Sequence, residues 1–332
     1  MQLKLEYSEY NSRHLGTYGQ TYEAAEKLVV DGLAKFFCTA FDTIVVGDVN
    51  SDARFILKSI IAGTCGLKKL IFLTTNRFDF GLSDVNDNKI FFNHIKYVVE
   101  NPDLIYTKII FVQNNPWESR YADYKMNIFM ETTHTSKKNF LNYTLIRPFG
   151  FSFIPKSPEI SLEEKNLPCY HNHPFFKNFT TMLLNSGLKV KIFDDLYYGG
   201  PSALSQYKAF ITLSYQVSTM KIYENLAEGV VTYVPTVRFL KELVETKEFE
   251  YPFIRETFWD GENWFKNIEY YHDDITSYIY KFDSMEELKE KMEKENVDPL
   301  NVREKSKIFW REERIKSLKR WSNVLEIPIP TS

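Results

Sequence analysis

The chain has 332 residues, 44% of them apolar and 26% charged, and a net charge of −3. These values fit a folded polypeptide with room for two domains; they exclude a disordered chain and argue against a general binder of nucleic acid or anionic membrane. Three cysteines without CxxC spacing (Cys38, Cys65, Cys169) argue against disulfide scaffolding and a zinc site, and favour a reducing compartment. No stretch reaches about 18 apolar residues, and the N-terminus lacks an apolar run. The expectation is a cytoplasmic protein with no transmembrane segment.

Residues 2–7 alternate like a strand, and the loop that follows carries Gly16 and Gly19. Tyr22, Ala25, Leu28, Val29, Leu33 and Phe36 then predict one amphipathic helix over about 21–37. Four buried strands follow at 42–46 (DTIVV), 69–73 (KLIFL), 108–112 (KIIFV) and 143–146, alternating with helices. Each ends in a polar cluster, and parallel sheets place function at such ends. Asp48, Asn76, Arg77, Asp79, Asn114 and Glu118 are therefore candidates for binding an acceptor. Gly16 and Gly19 are candidates for close backbone approach on the same edge, or simply a surface turn.

Residues 151–178 have no period and read as a linker; Cys169, His171 and His173 within it read as exposed loop residues rather than metal ligands. A second α/β series begins with a helix at 179–185 and a strand at 189–193. Gly199 and Gly200 make a tight turn ahead of a helix at 203–207. Lys189, Lys191 and Lys208, with Arg147, offer cations. A charged helix spans 285–295, and a final helix spans about 303–324.

Residues 207–235, YKAFITLSYQVSTMKIYENLAEGVVTYVP, form the most informative stretch. A short apolar strand leads through a polar turn, with Ser218 at the N-cap position, into a helix that Gly229 ends. VVTYV then starts another strand. Such a turn gathers free N–H groups and the positive helix end into an anion site. Ser218 and Thr219 stand there. Glu224 lies roughly 9 Å further along the helix at about 1.5 Å per residue, the reach from a pyrophosphate to a ribose diol. The same spacing also fits an ordinary αβ unit with a solvated glutamate.

The stretch resembles the donor-binding segment of GT-B glycosyltransferases, with its Glu-x7-Glu pattern. Glu224 matches the second glutamate, Asn225 to Gly229 match the helix end, and Val230-Val231 opens the strand; the first glutamate falls on Gln216, a departure. The resemblance implies an α/β fold of two Rossmann-like domains facing each other across a cleft. Residues 1–150 would bind the acceptor, residues 151–302 the donor, and 303–332 would cross back onto the first domain. It implies metal-independent, retaining transfer from a UDP- or GDP-sugar to a glycan or other hydroxyl acceptor, with no cofactor beyond that co-substrate and no nucleic-acid partner. Gln216, Arg147 and Asp48 would be catalytic, Arg147 by meeting the diphosphate. Glu224, Ser218, Thr219, Tyr215, Lys208, Gly199 and Gly200 would bind the donor. A nucleotide-sugar epimerase and a non-catalytic nucleotide-sugar binder remain alternatives. A dinucleotide dehydrogenase is disfavoured because no G-x-G-x-x-G follows a predicted strand.

Overall fold

The computed structural model describes residues 20–75, 77–78, 84–129, 141–151, 159–172, 177–194, 199–214, 216–246, 257–294 and 299–329. The chain divides into two compact units, Met1–Ile146 and Arg147–Ser332. Each is an α/β structure around an all-parallel sheet, the fold class expected from the sequence.

In the first unit β1 (Thr43–Gly47), β2 (Lys69–Thr74), β3 (Lys108–Gln113) and β4 (Tyr143–Leu145) lie side by side in sequence order. The central strands bury their apolar runs on both faces, as parallel strands between helices do. Leu70 and Phe72 pack with Phe78, Phe91, Phe92 and Phe111 into one core. The first strand departs from expectation. It borders the sheet among the described residues and alternates exposed and half-buried positions, so Val45 faces water. The single helix expected over 21–37 is two, Tyr22–Val30 and Leu33–Ala40, because Gly32 between them takes a left-handed φ of 82°. Cys38 and Cys65 form a disulfide, contrary to the expectation from cysteine count. Its two ends are 27 residues apart in sequence. Cys38 lies on the Leu33–Ala40 helix, which packs on the Arg54–Ile61 helix that runs into the Cys65 loop. That packing brings the two together, and a disulfide does not favour a reducing compartment.

The second unit carries β5 (Pro168–His171), β6 (Lys191–Phe193), β7 (Ala209–Ile211), β8 (Thr232–Pro235) and β9 (Ile279–Phe282), in spatial order β6-β5-β7-β8-β9. This 2-1-3-4-5 order reverses at β5, which makes the carboxyl edge between β5 and β7 the topological switch point. Within residues 151–178 the linker expectation fails over the described residues 159–172. Pro168–His171 is an interior strand, and Cys169 and Tyr170 are buried rather than exposed. A four-residue strand beginning with proline and ending in histidine carries no apolar run for a sequence to show. The C-terminal helix, Pro299–Leu325, packs on the Met220–Glu228 helix through Trp310, which stacks on Tyr223 at 5.4 Å. No helix among the described residues is long and apolar enough to cross a membrane.

Candidate functional site

Beyond the carboxyl end of β7, Thr212, Leu213 and Ser214 lead to a turn at 216–219 and the Met220–Glu228 helix. Thr219, not Ser218, is the N-cap. It is extended, and its side chain makes no capping bond; its hydroxyl lies 3.4 Å from that of Tyr270. Ser218 misses the expected role because its hydroxyl is engaged 2.6 Å away by the Tyr223 hydroxyl. The first turn therefore presents amides without side-chain capping and holds no acidic residue. Gly229 ends the helix with a φ of 69°, as the sequence implied.

Lys221, in that first turn, is the residue that sequence reasoning missed. A lysine at the positive end of a helix opposes the macrodipole, and that uncommon placement was the available signal. Its ammonium lies 4.4 Å from the centre of the Phe210 ring. Burial pushes its pKa down to about 8, against the pull of the Glu224 carboxylate. Glu224 is half-buried, and burial raises its carboxyl above the ordinary range while Lys221 draws it back. The pair sits three residues apart on adjacent flanks of the helix. Asn225, four residues beyond Lys221 and on its side of the helix, is 2% exposed, and neither amide atom has a hydrogen-bond partner. An ammonium, a carboxylate, an unsatisfied amide and a helix end thus line one stretch next to the switch point. Such a set can hold an anion and a hydroxyl-bearing group together.

Other expected donor residues are placed differently. Arg147 is 2% exposed and closed in by carboxylates: Glu269 at 3.0 Å, Asp274 at 3.0 Å and Glu313 at 3.5 Å. Burial works against its charge, but Glu269 and Asp274 outweigh it and hold the guanidinium protonated well above its ordinary value. Its charge is already matched, which leaves it poorly suited to meet a diphosphate. Lys208 precedes β7, on the amino edge of the sheet, and its ammonium donates to the Met292 carbonyl at 2.6 Å. It does not join the switch-point residues. Gly199 and Gly200 have φ of 83° and 64° and start the Gly200–Leu204 helix, which packs on the Met220–Glu228 helix. Gln216 is half-buried in the turn. Tyr215, Gly16, Gly19, Asn76 and Asp79 lie outside the described residues.

In the first unit the polar strand ends do come together. Asp48, at a φ of 65°, accepts a hydrogen bond from Thr75 at 3.0 Å. Asn50 donates to Thr74 at 2.9 Å, and the Asn114 backbone N–H donates to the Thr74 carbonyl at 3.1 Å. Asn115 donates to Asn114 at 2.6 Å and to Glu118 at 3.2 Å. Asp48 and Asn114 thus belong to one network across three strand ends. Glu118 is buried inside it rather than open to an acceptor. Arg77 follows the Thr74–Thr75 end of β2. Asp52, just beyond β1, has its carboxyl pushed up to about 6 by burial and by the nearby Asp48.

No protein family matches the chain, and no curated protein matches it. Among solved structures, the T4 phage BGT in complex with its UDP-glucose substrate is 10% identical, with 87% of this chain and 83% of that chain covered and a TM-score of 0.43. A mutant of the same phage protein, also in complex with UDP-glucose, gives 11% identity and the same TM-score. The glycotransferase of kitacinnamycin is 8% identical, with 85% of this chain and 98% of that one covered and a TM-score of 0.42. Likenesses this weak carry no argument about activity; what stands is an α/β protein of two parallel-sheet units.

Proposed function

We propose that the protein is a glycosyltransferase of the GT-B type, transferring a sugar from a UDP- or GDP-sugar to an acceptor hydroxyl. The observation that carries this reading is the helix start beside the switch point of the second sheet, with Lys221 and Glu224 on its first two turns. Uncapped amides and the Lys221 ammonium suit a diphosphate, whose charge grows as the nucleotide leaves. The Glu224 carboxylate, about one turn on, suits the two ribose hydroxyls, which it would accept as donors. Lys221 takes the cationic role first given to Arg147. Retention, and transfer without a metal, rest on the segment's resemblance to the family. The polar strand ends of the first unit, with Asp48 and Asn114, are the proposed acceptor side.

Gln216 supports a second reading. An amide where the family has an acid can bind a sugar without helping it react, which describes a nucleotide-sugar binder. Incubating the protein with a set of UDP- and GDP-sugars separates the two. Release of free sugar and nucleoside diphosphate supports transfer chemistry; binding without turnover supports the binder, and an isomerised donor would point to an epimerase. Glu224→Ala is expected to weaken nucleotide binding by about 1–3 kcal/mol, measured by calorimetry. An unchanged affinity would remove Glu224 from the ribose.

A further inference from the structure

The turn at 216–219 is held from behind by a chain of buried groups. The Ser218 and Tyr223 hydroxyls are 2.6 Å apart, Tyr223 donates to Glu269 at 3.2 Å, and Arg147 donates to the same Glu269 oxygen at 3.0 Å. Tyr223 and Glu269 are fully buried, and Arg147 nearly so. A second tie runs through the backbone, where the Glu269 N–H donates to the Val217 carbonyl at 2.9 Å. The Tyr223 ring is itself fixed by its stack on Trp310. Gly150 presses on the same residue, since a Cβ there would stand 2.4 Å from the Tyr223 carbonyl oxygen.

We infer that Arg147, Glu269 and Tyr223 are positioning residues that fix the donor turn and orient the Ser218 hydroxyl as a hydrogen-bond acceptor toward the ligand. The proton count gives the orientation. Arg147 has only donors, so the ion-paired Glu269 oxygen accepts. The one Tyr223 proton goes to that oxygen, so the bond between the hydroxyls must use the Ser218 proton. Ser218 keeps only lone pairs for a ligand. It therefore suits a sugar or ribose hydroxyl and is unsuited to a phosphate oxygen, which falls to the helix amides and Lys221. This rests on the transferase reading for the ligand, but the clamp itself does not. Burying an arginine and a glutamate at this place costs desolvation that apolar packing would avoid, which fits selection for geometry better than for stability.

The test uses Tyr223→Phe, which removes one hydroxyl and keeps the ring on Trp310, and Glu269→Gln as a second variant. In ligand-free protein, exchange of the Glu269 amide is expected to speed up about tenfold in either variant relative to amides in β8. Calorimetry with UDP and GDP is expected to show five- to tenfold weaker binding, the worth of about one hydrogen bond. Combined with Ser218→Ala, the Tyr223→Phe loss should be less than additive, because both changes act through one hydroxyl. Unchanged exchange overturns the clamp. Faster exchange with unchanged affinity, or strictly additive losses, overturns the positioning role. If the wild-type protein binds neither nucleotide, the transferase reading and the positioning role fall together, while the exchange result still decides whether the clamp exists.

Discussion

Lys221 and Asp52 are displaced from their ordinary ionisation in opposite directions, and each displacement has a measurable sign. With its pKa lowered to about 8, Lys221 is charged at pH 7 and largely neutral at pH 9. If its ammonium holds the diphosphate, only the protonated form binds well, so UDP or GDP affinity should fall about tenfold between those pH values. Lys221→Arg should flatten the profile, because a guanidinium stays charged throughout. Burial is what lowers the Lys221 pKa, while the neighbouring Glu224 carboxylate favours its charge. Asp52 has a raised pKa, so the folded state binds its proton more tightly than the unfolded chain does. Stability contributed by this group is therefore lost as pH rises from about 4 to about 6. Asp52→Asn should remove that slope and stabilise the first unit by about 2 kcal/mol at pH 7, from roughly 1.4 kcal/mol per pKa unit discounted for partial exposure. Urea unfolding at pH 4 and pH 7 checks both statements.

Among the elements, the glycines with left-handed backbones separate conformational strain from crowding. Gly32 and Gly150 have φ of 82° and 63°. Nothing lies within 4 Å of a Cβ at Gly32, so Gly32→Ala should cost only the left-handed backbone, about 1 kcal/mol. At Gly150 the added carbon would meet the carbonyl of Tyr223 and the Trp310 indole nitrogen at 2.8 Å. Backbone cannot step aside as a flexible side chain can, so Gly150→Ala should cost at least about 3 kcal/mol. Equal losses in thermal melts would show that the helix bearing Glu224 is not pressed on this segment. The sequence shows elements where apolar runs are long, as in KLIFL and KIIFV, and where a stop is chemical, as at Gly229. It hides Pro168–His171, which is interior because of its neighbours and not because of its own composition. It also placed Ser218 at the cap, since Ser and Thr are adjacent and only the Tyr223 hydroxyl distinguishes them. The place of Glu224 on the Met220–Glu228 helix was legible from its spacing to the turn. Lys221 was legible in principle, from a cation at the wrong helix end. The burial of Arg147 was not, since Glu269, Asp274 and Glu313 lie more than a hundred residues away in the chain.

At the scale of the whole chain, each unit has its own core: one around Phe72, Phe91 and Phe111, the other around Tyr233, Leu240, Phe282 and Trp310. Only the first contains a disulfide. Cross-linking residues 27 apart restricts the unfolded chain, and the loop-closure account gives about 3.5 kcal/mol for such a span. Reduction, or Cys38→Ser with Cys65→Ser, should therefore lower the stability of the first unit by about 2–4 kcal/mol and leave the second unit's transition where it was. The third cysteine supplies an internal control. Cys169 is fully buried, and burial pushes its thiol far above the usual range, so it should resist alkylation in native protein whether or not the disulfide is reduced. After mild reduction the part-buried Cys65 should become reactive in native protein, the buried Cys38 only on unfolding of the first unit, and Cys169 only on unfolding of the second. Thiol counting alongside urea unfolding, followed by fluorescence and by proteolysis of each unit, measures both effects on one sample. A single shared transition that shifts as a whole on reduction would show that the two cores unfold as one; two transitions, with only the disulfide-bearing one displaced, would show that the halves are separate cooperative units.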